Sequence, residues 1–340
     1  MIDKFTKHLF LGLIAWGISV AAAGQIARPG GTDEFIDRYL ALRNTAWNGP
    51  EKILSKEEAS TLTALVNELR TIDSTSFAYH YLAYTDQPYR SSAATHLTVA
   101  KQLRPTHEGV LHAAIQNAHF TGNASALRKA LQDFRSSGYD WPAEELTYHR
   151  HVLTSLPQKA ILITNGDEDT HPLLLLQYLQ GVRSDVFIIR ADFLQHASFL
   201  KQTPVPAKGH HKFVSASRSS AVAAAFNVFP AERIHLALTL PPSWLQRHTD
   251  GVINGLSIGR MHRNHTLEQL VQRTADISPA KVNPSPQGAH RFDRNYLPLF
   301  VILEDYHKKT ASGKAQGYTD AIARIKPKLK NQRVLDNLPR

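Results

Sequence analysis

Three consecutive carboxylates, Asp167-Glu168-Asp169, run into Thr170, His171 and Pro172, and this is the stretch of the chain best suited to chemistry. Oxygen ligands spaced as Asp-x-Asp can hold a divalent cation, with Thr170 and His171 beside them. Two close carboxylates can also serve as acid and base, because repulsion raises one pKa and leaves the other low. A third use needs no ligand. An acidic side chain or a threonine hydroxyl at a helix start accepts amide hydrogens, and the helix dipole favours its negative charge. Capping accounts for one or two acidic residues but not for three. Asp167, Glu168, Asp169, Thr170 and His171 are therefore the candidate ligand-binding residues, with Asp167 and Asp169 as candidate ligands of a divalent cation.

The flanking residues say how such a cluster is held. Ala160 to Thr164 is a short apolar run, and Pro172 followed by Leu173 to Leu176 opens a helix. A buried strand ending in polar residues before a helix is how an α/β sheet presents side chains at its carboxyl rim, where such sheets bind ligands. Further strands are expected at Val186–Arg190, Lys212–Ser215 and Arg233–Leu240, and helices at Leu173–Gly181, Phe193–Gln202, Ser219–Phe226 and Pro242–His248. This alternation predicts a mostly parallel, Rossmann-like sheet covered on both faces over residues 157–290. Asp192, just past the second strand, would stand beside Asp169 and completes the candidate set. An enzyme should gather such a second polar cluster at the loop; a mere cap should not.

Upstream, residues 32–154 read as helices. Ser55-Lys56-Glu57-Glu58 has the form of a capping box, and Leu62, Leu65, Val66 and Leu69 follow at helical spacing. Phe77 and Tyr84, then Ala93-x-x-x-Leu97, Ala100 and Pro105, match a tetratricopeptide unit, with small alanines allowing close helix approach. A looser second unit runs from Glu108 to about Gly138. Such helical pairs need neighbours to bury their faces, so an arm leaning on the following domain is expected, with a groove for a protein partner.

The first 24 residues have the form of an export signal: Lys4 and Lys7, an apolar run from Leu9, and small residues at Ala21 to Gly24. An exported protein, periplasmic or associated with the outer membrane, is expected. With no cysteine, the chain has neither disulfides nor thiolate chemistry. The net charge of +10 is concentrated in residues 291–340, a helix and basic tail. From Lys308 to Arg340 nine Lys/Arg face only Asp320 and Asp336. Such a tail suits an anionic surface or simple solvation; nucleic acid is not an expected partner.

The segment Thr164-Asn165-Gly166-Asp167-Glu168-Asp169-Thr170-His171-Pro172-Leu173, with Gln177 and then Gly181-Val182-Arg183-Ser184-Asp185-Val186, resembles a motif of a Bacteroidetes family of large membrane proteins. That family carries a soluble C-terminal domain of unknown function and is related in its membrane part to protein O-mannosyltransferases. Pro230 to Ala237 is similar to a further family strand, and the resemblance covers roughly residues 157 to 305. Glu168 stands where the family has Asn, His171 where it has an aromatic, and Leu174-Leu175 where it has Trp-Tyr. The resemblance thus implies a related soluble domain that has lost an aromatic wall beside its acidic loop. Transferase activity does not carry over, because the multi-spanning portion is missing from this sequence.

Weaker signals complete the picture. Gly255-Leu256-Ser257-Ile258-Gly259 spells a nucleophile elbow, but Gly251–Asn254 is a poor strand and no helix follows at once. His149-x-His151, His210-His211 and His262-x-x-His265 have zinc-like spacing without an evident third ligand. Arg183 and Asp185 are expected to pair with each other. Phosphate-binding glycine loops are absent. Two functions remain in view: a binding or scaffolding module, and a metal-dependent transferase or hydrolase, carbohydrate-related on the resemblance, acting at the acidic rim.

Overall fold

The computed structural model describes residues 31–47, 54–204, 217–245, 251–260, 266–282 and 292–328. The leader, the proposed Lys212–Ser215 strand, His210-His211, His262, His265 and the end of the basic tail lie outside these. No helix among the described residues is long and apolar enough to cross a membrane.

Seven helices come first: α1 (Glu34–Trp47), α2 (Lys56–Ile72), α3 (Phe77–Asp86), α4 (Ala93–Leu103), α5 (Glu108–Phe120), α6 (Ala124–Ser136) and α7 (Ala143–Ser155). The expected capping box opens α2: Glu58 N donates to Ser55 Oγ (3.1 Å) and Ser55 N to Glu58 Oε2 (2.7 Å). Ala78 and Ala100 are fully buried where α3 and α4 meet, and the Tyr84 hydroxyl donates to the Ala113 carbonyl of α5 at 3.0 Å. Two cores divide these helices. Phe35, Leu69, Phe77, Leu82 and Leu97 form one, to which α5 adds only Val110 and Ala113; apart from Phe120, which packs with the α10 face of the sheet, α5 to α7 otherwise belong to a second core that runs on into the α/β part. The expected arm and sheet region therefore share hydrophobic interior.

The α/β part contains β1 (Ile161–Thr164), α8 (Asp167–Gln180), β2 (Phe187–Arg190), the short α9 (Ala197–Leu200), α10 (Arg218–Val228), β3 (Ile234–Ala237), α11 (Pro242–Leu245), β4 (Gly251–Ile253), β5 (Ser257–Arg260) and α12 (Leu267–Arg273). Two more helices, α13 (Leu297–Lys309) and α14 (Ala315–Ile325), complete the described chain. The sheet order is β2-β1-β3-β5-β4. Strand alternation divides its faces. Leu162 and Ile188 enter the core shared with α5 to α8, α13 and α14, while Ile161, Ile163 and Ile189 face Ala221, Val222 and Ala225 of α10. Helices thus cover both faces, as the continuous apolar runs required.

The expectation of a mostly parallel sheet is corrected. β1 pairs in parallel with β2 and β3, but β3–β5 and β5–β4 are antiparallel. The cause is a hairpin at 251–260, although Gly251–Asn254 reads as a poor strand. Gly255 has φ +70°, the first of two central residues, and Asn254 N donates to Ser257 O at 2.8 Å. That is the position a tight hairpin gives to glycine. A Cβ at Gly255 would also strike the Ser155 hydroxyl at 2.3 Å, so a side chain there is doubly excluded. Ser257 consequently lies within β5, fully buried, its hydroxyl donating to the Asn254 carbonyl at 2.8 Å. A nucleophile elbow needs a strand-to-helix turn with the hydroxyl exposed, so that reading is excluded.

Helix α8 starts at Asp167, earlier than the proline suggested. Pro172 sits inside it, near enough to the start that Thr170 N still reaches the Gly166 carbonyl at 2.8 Å. Leu174 and Leu175 are both buried in the core. At these positions an aromatic pair would not wall the acidic loop, so the expected loss of such a wall does not follow from this substitution.

Candidate functional site

The strand β1 ends where its two parallel neighbours diverge: its chain continues toward β2, while β3 lies on its other side. Such a switch point is the usual ligand crevice of an open sheet. Here it is bridged from within. The Asp169 carboxylate is buried and accepts hydrogen bonds at Oδ2 from Asn165 N (3.0 Å) and the Thr239 hydroxyl (2.5 Å). Asn165 Nδ2 donates to the Thr239 carbonyl at 3.1 Å, tying the ends of β1 and β3 together. The buried Thr170 and Thr164 hydroxyls bond to each other at 2.7 Å. Asp169 and Thr170 thus fasten the turn, which is the capping use with the cap turned back onto the preceding loop.

Asp167, two residues earlier, faces the other way, toward β2. Its Oδ1 makes a close ion pair with Arg190 Nη1 at the carboxyl end of β2. The same guanidinium grips Asp192 with two bonds, Nε to Oδ1 (3.0 Å) and Nη2 to Oδ2 (2.8 Å). Asp192 also accepts a short bond from the Tyr89 hydroxyl, which in turn accepts from Gln116 Nε2 at 2.7 Å. Tyr89 lies between α3 and α4, and Gln116 on α5, so helical and sheet regions meet at one buried cation. Burial on its own would raise the pKa of both carboxylates, but Arg190 outweighs it and holds Asp167 and Asp192 below the ordinary carboxylate value. Burial pushes the Tyr89 hydroxyl well above its ordinary 10, so it stays a donor.

His171 extends this centre. Its ring is wholly buried, with Nε2 3.1 Å from Asp167 Oδ1 and Nδ1 3.0 Å from Nδ1 of His112 on α5; the two rings stack at 5.2 Å. With Asp167 ionised, attraction requires the proton on His171 Nε2. Nδ1 of one ring donates to Nδ1 of the other, and His112 Nε2 lies 3.9 Å from the Glu108 carboxylate. Burial, with His171 alongside, lowers the His112 pKa to about 4. Beyond His112 stand Phe134 and Trp141, themselves stacked 4.5 Å apart. Asp167 keeps 38% of its side chain accessible, and its Oδ2 has no hydrogen-bond partner among the described residues.

Of the six candidate residues, then, Asp167 and Asp192 converge through Arg190 with His171 against Asp167, Asp169 and Thr170 turn inward, and Glu168 is exposed on the rim. Asp192 meets Asp167 rather than Asp169. Asp167 and Asp169 have different partners, Arg190 stands where a cation would bridge Asp167 to Asp192, and among the described residues no group of three His, Asp or Glu is placed to hold a metal. His149 and His151 also diverge, to the Glu145 carbonyl and the Tyr296 hydroxyl. Sequence reading missed Arg190, Tyr89, His112 and Gln116. Only Arg190 carried a signal, as a charge ending an apolar strand two residues from Asp192.

Arg183 and Asp185 do pair, at 2.7 and 2.9 Å. The guanidinium also caps the end of α7, donating to the carbonyls of Leu153, Leu156 and Pro157.

Residues 146–222 match the family model described as TMEM260-associated domain 2. The match is consistent with a domain associated with an O-mannosyltransferase-like membrane protein. It includes Asp167, His171, Arg190 and Asp192 but stops short of Tyr89, His112 and Gln116. No curated protein and no solved structure matches the chain.

Proposed function

We propose that the protein is an exported binding module whose ligand, a neutral glycan, docks over Asp167 at the junction of the helical arm with the carboxyl rim of the sheet. In this reading the arm is tetratricopeptide-like and offers a groove to a protein partner, the parallel strands β2-β1-β3 are the Rossmann-like part, and the basic tail seats the protein on an anionic surface. The kinship extends to the Bacteroidetes family through the acidic-loop motif.

One observation carries the proposal: Asp167 is ionised and fixed by Arg190 through one oxygen while the other has no hydrogen-bond partner among the described residues. A fixed carboxylate acceptor, a neutral imidazole at His112 and the half-buried Trp141 ring suit the hydroxyls and apolar faces of a sugar. The family match, consistent with a domain associated with an O-mannosyltransferase-like membrane protein, supports the same ligand class. A metal-dependent transferase or hydrolase is the weaker reading, because Arg190 already neutralises the pair that would receive the cation.

The test is calorimetric titration with mannotriose and other neutral oligosaccharides, using the whole chain and Asp167→Asn. Saturable binding lost in the variant is the expected result, measured below its melting transition because Arg190 loses one of its two acids. Equal binding by both proteins would remove Asp167 from the site, and no binding by either would overturn the glycan reading. Melting should be insensitive to Mg²⁺, Ca²⁺ and Zn²⁺, since a ligand of the native state would raise it.

A further inference from the structure

A cleft of about 620 Å³ runs along the outer edge of β2, between α5, α6 and the carboxyl half of α8, and reaches Arg233 just before β3; it shares no residue with the Asp167 centre. Its size is that of small-ligand sites, which commonly hold about 300–1,000 Å³. The strand edge within it is already protected. The Ile188 carbonyl accepts from His119 Nε2 at 3.0 Å, and the Val186 carbonyl from Gln177 Nε2 at 2.8 Å. Covering edge carbonyls with side chains disfavours addition of another strand, so the opening suits a small molecule better than a β-strand.

Its lining is two-sided. Leu127, Leu174, Ile188 and Phe199 give it apolar wall, while Arg128 and Arg233 bring positive charge. Each arginine is anchored by one N–H only, Arg128 Nη1 to the Tyr178 carbonyl and Arg233 Nε to the Lys159 carbonyl at 2.7 Å. Neither makes an ion pair among the described residues. The acid on the wall, Asp185, is held well below its ordinary pKa, at about 2, by bonds from Arg183 and is already neutralised by it. The cleft is therefore left with uncompensated positive charge beside apolar surface.

We propose that this cleft binds an amphipathic anion, a carboxylate carried on an apolar tail, with Arg128 and Arg233 receiving the head and Leu127, Leu174 and Phe199 the tail. Anchored guanidinium groups are suited to carboxylates because their remaining N–H donors are pre-oriented. The site is independent of the glycan reading and stands or falls separately.

The experiment is calorimetric titration of the whole chain with decanoate below its micelle threshold, with decanol (tail without charge) and acetate (charge without tail) as arms. Wild-type protein should bind one decanoate per chain, at least tenfold more tightly than either control. The double variant Arg128→Gln/Arg233→Gln should weaken decanoate at least tenfold. Ala124→Trp, an exposed substitution on the cleft wall, should block it, and Asp167→Asn should leave it unchanged. No decanoate binding, equal binding of decanol, full binding by both cleft variants, or loss in Asp167→Asn would each overturn the proposal.

Discussion

The strand β2 serves two places that handle charge in opposite ways. At its carboxyl end, Arg190 is buried between two acids, and its Nε, Nη1 and Nη2 all have partners. In the cleft beside it, Arg128 and Arg233 each keep donors without partners among the described residues. Internal satisfaction makes the first region an element of stability that also presents one open oxygen. Incomplete satisfaction makes the second a region where charge is available to a ligand and matters little to folding. Function and stability are therefore entangled at one end of this strand and separable along its side.

That contrast is broken most severely at Arg190. Arg190→Met leaves Asp167 and Asp192 without their cation, and removal of one partner from a buried pair costs about 3–5 kcal/mol. A loss under about 1 kcal/mol in urea unfolding would mean that the centre is solvated and the contrast false. Acid sharpens it next. The folded pKa values of His112, about 4, and His119, about 3, lie below the ordinary 6.5, mainly through burial. The unfolded chain therefore binds protons that the folded one refuses, and stability should fall as pH drops from 6.5 toward 4 and on toward 3. Asp167, held low, stabilises above its ordinary 3.8 and loses that contribution only below it. Urea midpoints measured from pH 7 to 4 should fall steadily, and His112→Gln should flatten part of the slope; a level profile would contradict the buried neutral imidazoles.

Tyr89→Phe removes a bond to a charged acceptor and should cost about 1.5–3 kcal/mol. It also loosens the seam between arm and sheet, which limited proteolysis would register as faster cleavage in α1 to α4; an unaltered urea midpoint would show that the seam does not depend on it. Smallest of all, Arg128→Gln/Arg233→Gln should lie within about 0.5 kcal/mol of wild type, as surface substitutions do. A larger loss would place the cleft arginines among the stabilising elements.

The sequence made legible what depends on neighbours along the chain. The capping box at Ser55, the strand Ile161–Thr164 and the turn pair Arg183–Asp185 all rest on contacts within a few residues or on local apolar pattern. Asp169 and Thr170 were recognisable as residues with an amide or hydroxyl to satisfy, though not which one. The site centre was half visible. Asp167, His171 and Asp192 come from one α/β unit, but nothing in the spacing of Tyr89, His112 or Gln116 ties them to it, because only the docking of α3 to α5 on the rim brings them there. The hairpin was missed for a different reason: three- and four-residue strands with glycine at 251, 255 and 259 have too little apolar pattern to stand out. Gly255, the residue a two-residue hairpin favours at its first central position, was the available sign.

The division of the helices into two cores sets a hierarchy of motion. Helices α1 to α4 have an interior largely their own, joined by Val110 and Ala113, so they can open as a cooperative unit without melting the sheet. Tyr89, between α3 and α4, is the tie that must part, because its ring packs on Phe120, Phe193 and His196. Each opening withdraws the hydroxyl that secures Asp192, so amide-exchange protection in α3 and α4 should rise when the junction is occupied. Apparent affinity there becomes the intrinsic affinity scaled by the closed fraction, a quantity adjustable from residues far from the rim.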